Sequence, residues 1–429
     1  MIAATPADVL FARSQMATSL GFHIIFASVG IAMPLLMVLA EAIWLRTGDP
    51  GYRDLARRWA KGTAVFFAVG AVSGTVLSFE LGLLFPEFMA RAGAIIGMPF
   101  SLEGFAFFTE AIFLGICLYG WERVRPAAHL AASAMVALSG ALSALFVTLA
   151  NAWMNAPTGF RLDASGAMVD IDPLAAMASP FALHEVVHTL LAAYMATAFA
   201  VAAIHALGLL RDSASAFHRR ALTLALALAI PAALAQPLVG HYAGQQIATL
   251  QPAKLAALEQ LETTQAGAPL TLGPLSIPGG LSLLAFNDPD AVVTGLDAFA
   301  PEDRPPAIVR PAFLVMVGLG TLAALYALVT AALWWRRRAL PLSRPWLLTT
   351  LALGPAGFLA LEAGWVVTEV GRQPWTIYGI LRTRDAVTAV APLWIPFVTF
   401  TLVYIGLAIV VLAVLRRQVR AAALEEAPR

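Results

Sequence analysis

Residues 15–45 read QMATSLGFHIIFASVGIAMPLLMVLAEAIWL, an apolar stretch carrying a single histidine, His23. The hydrocarbon core of a bilayer, about 30 Å thick, is crossed by roughly 20 such residues in a helix that rises about 1.5 Å per residue. The stretch is therefore read as a spanning helix. The residues leading into it, MIAATPADVLFARSQ, lack the basic start and short apolar core of a cleaved signal peptide, so the span is expected to be permanent.

Eight similar stretches follow, at roughly 56–82, 97–121, 128–153, 184–211, 219–240, 311–335, 346–368 and 391–416. The expected fold class is an all-α integral membrane protein with nine transmembrane helices, forming a single membrane domain over residues 1–429. Composition agrees: 60% of the residues are hydrophobic and 12% charged, against roughly 25% charged in soluble proteins. With a formal net charge of +1, this excludes a disordered chain, a nucleic-acid binder held by bulk positive charge and an ordinary water-soluble enzyme. No internal repeat or low-complexity tract is present. Cys117 is the only cysteine, so a disulfide framework, a zinc knuckle and a CxxCH haem attachment are all excluded. A bound cofactor must be held by His, Met or carboxylates.

Basic residues set the expected orientation. Of the 27 Lys and Arg, 18 fall in one set of connections: Arg46, Arg53, Arg57, Arg58, Lys61, Arg123, Arg125, Arg211, Arg219, Arg220, Arg336, Arg337, Arg338, Arg344, Arg416, Arg417, Arg420 and Arg429. The two-to-one bias places that set in the cytoplasm. Nine spans then put the N-terminus outside and the C-terminus in the cytoplasm. The longest connection, 241–310, belongs to the outer face and carries seven acidic residues; a loop of that length is usually functional or mobile. It includes GAPLTLGPLSIPGG and QPAKLAALEQLE, the latter with helical spacing suited to a helix lying on the membrane surface.

Ionisable groups inside a bilayer are costly and mark candidate sites. His184 and His188 are four apart and share a helix face. Glu103 and Glu110, and likewise Glu362 and Glu369, are seven apart, two turns on one face; Glu80 lies near the end of the second span. Haem iron accepts His or Met without any cysteine. Carboxylates stepped along a helix can pass protons through a dry interior. A single membrane His is also a common packing residue, Met316 alone is also core filler, and paired Glu residues also suit a transporter's ion site. Composition and spacing stop at a membrane protein with buried acid–base groups. They leave open a haem enzyme, a proton-coupled transporter, and a haem b quinol relay or oxygen sensor.

Local sequence goes further. GWVVTEVGRQPW at 364–375, followed by YGILRTRDAV, resembles the signature of subunit I of cytochrome bd-type quinol oxidases. The same family is matched by SLEGFAFFTEAIFLG at 101–115, LANAWMNAPTGF at 149–160, HEVVHTLLAAY at 184–194 and MVGLG at 316–320. The resemblance runs from the first span to the ninth, in order.

It implies a terminal oxidase subunit of the bacterial cytoplasmic membrane. Such a subunit oxidises quinol at the outer face and reduces O2 to water, taking protons from the cytoplasm without a pump. By resemblance, His188 and Met316 are the axial pair of a low-spin haem b. His23 and Glu369 match ligands of the two high-spin haems, one a haem b and the third ring either haem d or haem b. Glu103 matches the acid beside that centre, and Glu110 with Ser143 the proton route. Trp365, Arg372 and Asn151 match positions lining the haem region, and a guanidinium such as Arg372 suits haem propionates. Gln251, Lys254 and Glu259 match the quinol side, and Arg13 also matches. Implied partners are a second integral subunit, with a small accessory subunit allowed, together with quinol, O2 and membrane lipids; nucleic acid is not among them. The sequence departs from some members at Leu314, where an arginine precedes the haem-ligating Met by two residues, and its outer loop is of the short, cyanide-insensitive-like type. His184, His205 and His241 match no family role and are read as structural.

Overall fold

The computed structural model describes residues 5–272 and 275–426. Residues 1–4, Gly273 and Pro274 of the GAPLTLGPLSIPGG segment, and residues 427–429 with Arg429 of the basic set lie outside the described residues; Arg420 is described by its backbone alone. The α-helices in chain order are α1 Pro6–Thr47, α2 Pro50–Leu84, α3 Pro86–Tyr119, α4 Pro126–Asn155, α5 Pro173–Met177, α6 Ala182–Arg211 and α7 Ala216–Leu250. They continue with α8 Pro252–Glu259, α9 Gly280–Phe286, α10 Val309–Arg337, α11 Arg344–Glu369, α12 Thr383–Ala386 and α13 Trp394–Glu426. Among the described residues, nine of these helices are long and apolar enough to cross a bilayer, in the order the sequence predicts.

Their starts follow from local chemistry. Proline opens α1, α2, α3 and α8, where its fixed φ suits the first turn and its missing N–H costs nothing. Thr5 and Asp49 cap α1 and α2 by accepting from the backbone N–H of Asp8 and Gly51. Gly48, at φ 71°, ends α1 in the left-handed conformation.

The ends differ from the hydropathy reading. Helix α1 begins at Pro6, α3 at Pro86 and α7 runs on to Leu250, so the long connection starts at 251 and His241 is helical. Hydropathy marks only the oily middle of a helix, whereas backbone pairing continues until a cap or a proline stops it. The QPAKLAALEQLE segment does form a helix, α8, but it does not lie on a surface. Ala253, Lys254, Leu255, Ala256 and Leu258 are all buried, because the small and aliphatic residues on its several faces pack against the loop and the helix ends around it. Antiparallel two-stranded ribbons occupy the connections: β1 Arg161–Leu162 with β2 Met168–Val169, β3 Gln265–Ala266 with β6 Val292–Val293, β4 Leu270–Leu272 with β5 Leu275–Ile277, and β7 Trp375–Ile377 with β8 Leu381–Arg382.

The chain forms two compact units. The first contains Met1–Ala90, Glu110–Ala137 and Arg384–Arg429, with α1 packed along α2 and α13. Its interior holds a polar cluster: the Glu41 carboxylate pairs with His129 Nδ1 at 2.7 Å and accepts from Ser133 Oγ at 2.7 Å. Cys117 Sγ is 3.3 Å from the same hydroxyl, and its side chain is fully buried.

The second unit contains Arg91–Thr109 and Leu138–Thr383. Here α6 packs on α7, α7 on α10, α10 on α11 and α11 on α6. This closed ring sets α6 and α10 at opposite corners. Glycines allow α11 to approach α6 closely: a Cβ at Gly354 or Gly357 of α11 would come within 2.6 and 2.7 Å of Ala203 and Ala196 of α6.

Candidate functional site

In the second unit, His188 on α6 and Met316 on α10 occupy the opposite corners of the four-helix ring. Each stands against a glycine of a neighbouring helix. A Cβ at Gly240 of α7 would lie 3.5 Å from His188 Cε1, and one at Gly364 of α11 would lie 3.2 Å from Met316 Sδ. Side chains are thus withheld where an imidazole and a thioether need room. His188 Nδ1 is buried and has no hydrogen-bond partner, an orphan in a structure type where buried polar atoms are nearly always paired.

Glu369, the last residue of α11, accepts a hydrogen bond from Asn151 Nδ2 of α4 and is 2.7 Å from Arg372 Nη2. Arg372 is 2% exposed, yet its Nε and Nη1 have no partner. A buried guanidinium with two idle donors has the planar fork that carboxylates accept from bidentately. Trp365 stands one turn before Glu369 on α11. The residues of this unit fit haem: axial-type ligands in glycine-walled space, and an arginine for propionates.

In the first unit, His23 Nδ1 is 2.9 Å from Ser73 Oγ, and that hydroxyl is itself 2.9 Å from the Val69 carbonyl. With its one proton given to Val69, Ser73 accepts the Nδ1–H of His23 and leaves Nε2 with a free lone pair, the tautomer a metal ligand needs. Gly74 again makes room, since a Cβ there would meet His23 Cε1 at 3.0 Å.

The remaining expected site residues divide. On α3, Glu103 accepts from Ser143 Oγ of α4 at 3.0 Å, so the serine that the resemblance groups with Glu110 has Glu103 as a partner. Glu110 lies two turns further along α3 and is buried. Gln251, fully buried, donates to the carbonyl and side-chain oxygens of Asn155 at 2.8 and 3.2 Å. Lys254 Nζ donates to Asn155 Oδ1 at 3.2 Å and to the Thr368 carbonyl at 3.4 Å. Glu259 pairs instead with Arg310, at 3.0 Å. The structure therefore turns Lys254 and Glu259 toward different partners. Arg310 also donates to the carbonyls of Leu258 and Thr271, tying α8 to α10 and the β4–β5 ribbon.

Electrostatics follow burial. Burial pushes the Lys254 ammonium down to about 7; Glu185 and Glu369 pull it back up, while Arg372 adds to the depression. Burial raises Glu259 above the usual carboxylate range, opposed by the Arg310 hydrogen bond and charge.

Three residues escaped the sequence reading. Asn155 accepts from Lys254 and donates to Asn151 Oδ1 at 2.9 Å; its signal is the four-residue spacing from Asn151. Glu185 lies within electrostatic reach of Lys254, Arg372 and Glu369, and its signal is an acid inside a span. Gln15 donates to Glu80 at 2.8 Å, a pairing across 65 positions that nothing local announces. Of the histidines read as structural, His205 pairs with His218 at 2.9 Å and His241 lies beside Gln245 at 3.2 Å, while His184 packs edge-on against Phe181.

Half-buried imidazole, thioether and carboxylate groups on spanning helices, with glycines beside the imidazoles and the thioether, have the chemistry that haem iron accepts. The family model for cytochrome bd terminal oxidase subunit I matches residues 11–423, and the chain belongs to that family. A Bacillus subtilis relative assigned as a cytochrome bd menaquinol oxidase subunit I is 38% identical over 427 residues, covering 95% of this chain and 96% of its own length. A second B. subtilis relative, a cytochrome bd ubiquinol oxidase subunit 1, is 29% identical and spans 89% of this chain and 86% of its own. Among solved structures, the bd oxidase of Geobacillus thermodenitrificans matches with a TM-score of 0.90 and 39% identity, over 98% of this chain and 100% of that one. The chain is accordingly a multi-pass protein of the bacterial cytoplasmic membrane, and its family implies haem cofactors.

Proposed function

We propose that this chain is the haem-bearing subunit of a quinol:oxygen oxidoreductase, assembled with a second integral subunit and open to a small accessory one. The observation that carries the reading is the placement of His188 and Met316 on α6 and α10 of the α6–α7–α10–α11 ring, each beside a glycine of a neighbouring helix that leaves it space. In this reading His188 and Met316 hold a low-spin haem b, while His23 and Glu369 serve two high-spin rings, one haem b and the other haem d or haem b. Haem bound at these positions supplies one-electron transfer and the reduction of O2 to water.

The side chains do the rest. Arg372 offers its idle donors to propionates, Asn151 fixes the Glu369 carboxylate, and Trp365 lines the same helix face. Ser73 holds His23 in the tautomer that leaves Nε2 free. At the face of the 251–310 connection, taken as the outer one, Gln251, Lys254 and Glu259 form the quinol side. Glu259 receives a hydroxyl proton there while Arg310 steadies its carboxylate. Glu110 and then Glu103, with Ser143 bonded to it, move protons inward along α3 from the cytoplasmic end. Oxidation on one face and proton uptake from the other separate charge without a pump. This orientation has the N-terminus outside and the C-terminus in the cytoplasm.

A reduced-minus-oxidised spectrum of the purified two-subunit complex tests the reading. Met316→Leu is expected to remove the low-spin signal and leave the high-spin one; an unaltered low-spin spectrum overturns the ligand assignment. Glu110→Gln is expected to slow quinol-driven oxygen uptake, and wild-type turnover removes it from the proton route.

A further inference from the structure

Gln15, Ser19 and His23 recur every four residues along α1 and share one face. Glu80 of α2 meets that face through the 2.8 Å bond from Gln15. The Ser19 hydroxyl lies near both the Glu80 carboxyl and the Tyr404 phenol of α13, and Tyr404 is held in place by stacking on Phe22 with ring centres 4.6 Å apart. All four side chains belong to the first unit.

Each of the four nevertheless has a buried oxygen without a hydrogen-bond partner: Gln15 Oε1, Ser19 Oγ, Glu80 Oε2 and Tyr404 Oη. Isolated orphans of this kind are rare, and four in one neighbourhood call for a shared partner. Their chemistry specifies it. Gln15 Oε1 accepts, a protonated Glu80 carboxyl donates through Oε2, and the Ser19 and Tyr404 hydroxyls can do either. A water molecule has two protons to give and two lone pairs to fill, and buried waters typically make two to four such bonds. Among the described residues, the electrostatic neighbours of Glu80 are Gln15, Ser19 and Tyr404, none of them a cation.

We propose that Gln15, Ser19, Glu80 and Tyr404 form a buried water-binding site one helical turn from His23, and that the Glu80 carboxyl exchanges its proton with the bound water. The water accepts from the protonated Glu80 Oε2 and from one of the two hydroxyls, and donates to Gln15 Oε1 and to the other hydroxyl oxygen. The exchange swaps one proton for another between carboxyl and water, so no charge is created. The site stands on α1, α2 and α13 alone and does not require a ring at His23.

Two measurements on the intact two-subunit complex test this. High-resolution cryo-electron microscopy is expected to show ordered density within hydrogen-bonding distance of the four oxygens. Four side chains closed directly on one another, with no density between, overturn the site. Infrared difference spectra in H2O and D2O are expected to contain an exchangeable carboxyl band that Glu80→Gln abolishes and that Ser19→Ala and Tyr404→Phe shift. The same band in all four proteins, or one that ignores deuterium, overturns the role of Glu80. Ser19→Ala and Tyr404→Phe keep the test decisive if Glu80→Gln does not fold. Haem absorbance, recorded for each variant and for His23→Ala, separates this outcome from the fate of the ligand assignment.

Discussion

The two units bury carboxylates in contrasting company. Around Glu369 in the second unit, Arg372 and Lys254 face two acids, Glu369 and Glu185, with amides of Asn151 and Asn155 filling the intervals. Glu80 in the first unit instead keeps the company of an amide and two hydroxyls. A buried charge persists when a counter-charge and hydrogen bonds replace its lost water; neutral neighbours leave the balance to a proton or to water itself. The first arrangement suits a group that must stay put as a ligand, the second a group that exchanges.

The contrast is broken or sharpened most strongly at Glu369. Glu369→Ala strands the Arg372 guanidinium; with the Glu369 carboxylate 25% exposed, the cost falls below the roughly 3–5 kcal/mol of opening a fully buried pair. Thermal unfolding of the purified complex should occur at a lower temperature, with high-spin absorbance lost. Glu80→Gln keeps shape and neutral company and should leave the absorbance intact. Equal losses from both would erase the distinction between the units.

A smaller effect is expected at the two histidines proposed as haem ligands. His23 has a hydrogen-bonded Nδ1 and His188 does not. Ser73→Ala removes an orienting bond of the kind worth roughly 10–100-fold in metal affinity. Haem retention on the His23 side, followed during detergent dilution, should fall by about that factor, with the His188 signal steady.

Lys254 gives a pH test. In the folded protein its ammonium is depressed to about 7, against 10.5 ordinarily. Between those values the unfolded chain binds a proton that the folded chain has released, so stability rises with pH across that window. Thermal melts at graded pH should show the rise in the wild type and a flatter curve in Lys254→Met.

The least effect is expected at Arg310, whose fork joins Leu258, Glu259 and Thr271. Arg310→Lys retains the charge but loses the planar geometry. A loss of about 1 kcal/mol, confined to the 251–310 segment, should appear as faster amide hydrogen exchange there.

How much of this was legible from sequence depends on the distance over which each feature is encoded. The nine spans are written in consecutive residues, and so are the prolines and caps that start them. His23, His188, Met316 and Glu369 stand out because ionisable or soft groups in oily runs are unusual, and the family strings HEVVHTLLAAY, MVGLG and GWVVTEVGRQPW contain three of them. Partnerships are another matter. Gln15 with Glu80, Gln251 with Asn155 and Lys254 with Thr368 span 65, 96 and 114 positions, and no periodicity connects such pairs. Helix α8 was legible as a helix but not as an interior one, because Pro252–Glu259 has the length and mixed polarity of a surface segment. Burial of its lysine depends on the Asn155 side chain and the end of α11. Ser143 could be placed one helix from the α3 acids, but which of the two it bonds is decided by helix rotation.

The enclosed Cys117 has a practical corollary. Its sulfur is packed against Ser133 with no exposed surface, so maleimide and nitroxide reagents should pass it by in the folded protein. A single cysteine introduced into the long connection would then be the sole labelling point. Distance measurements from such a probe could follow that segment during turnover without first deleting the native thiol.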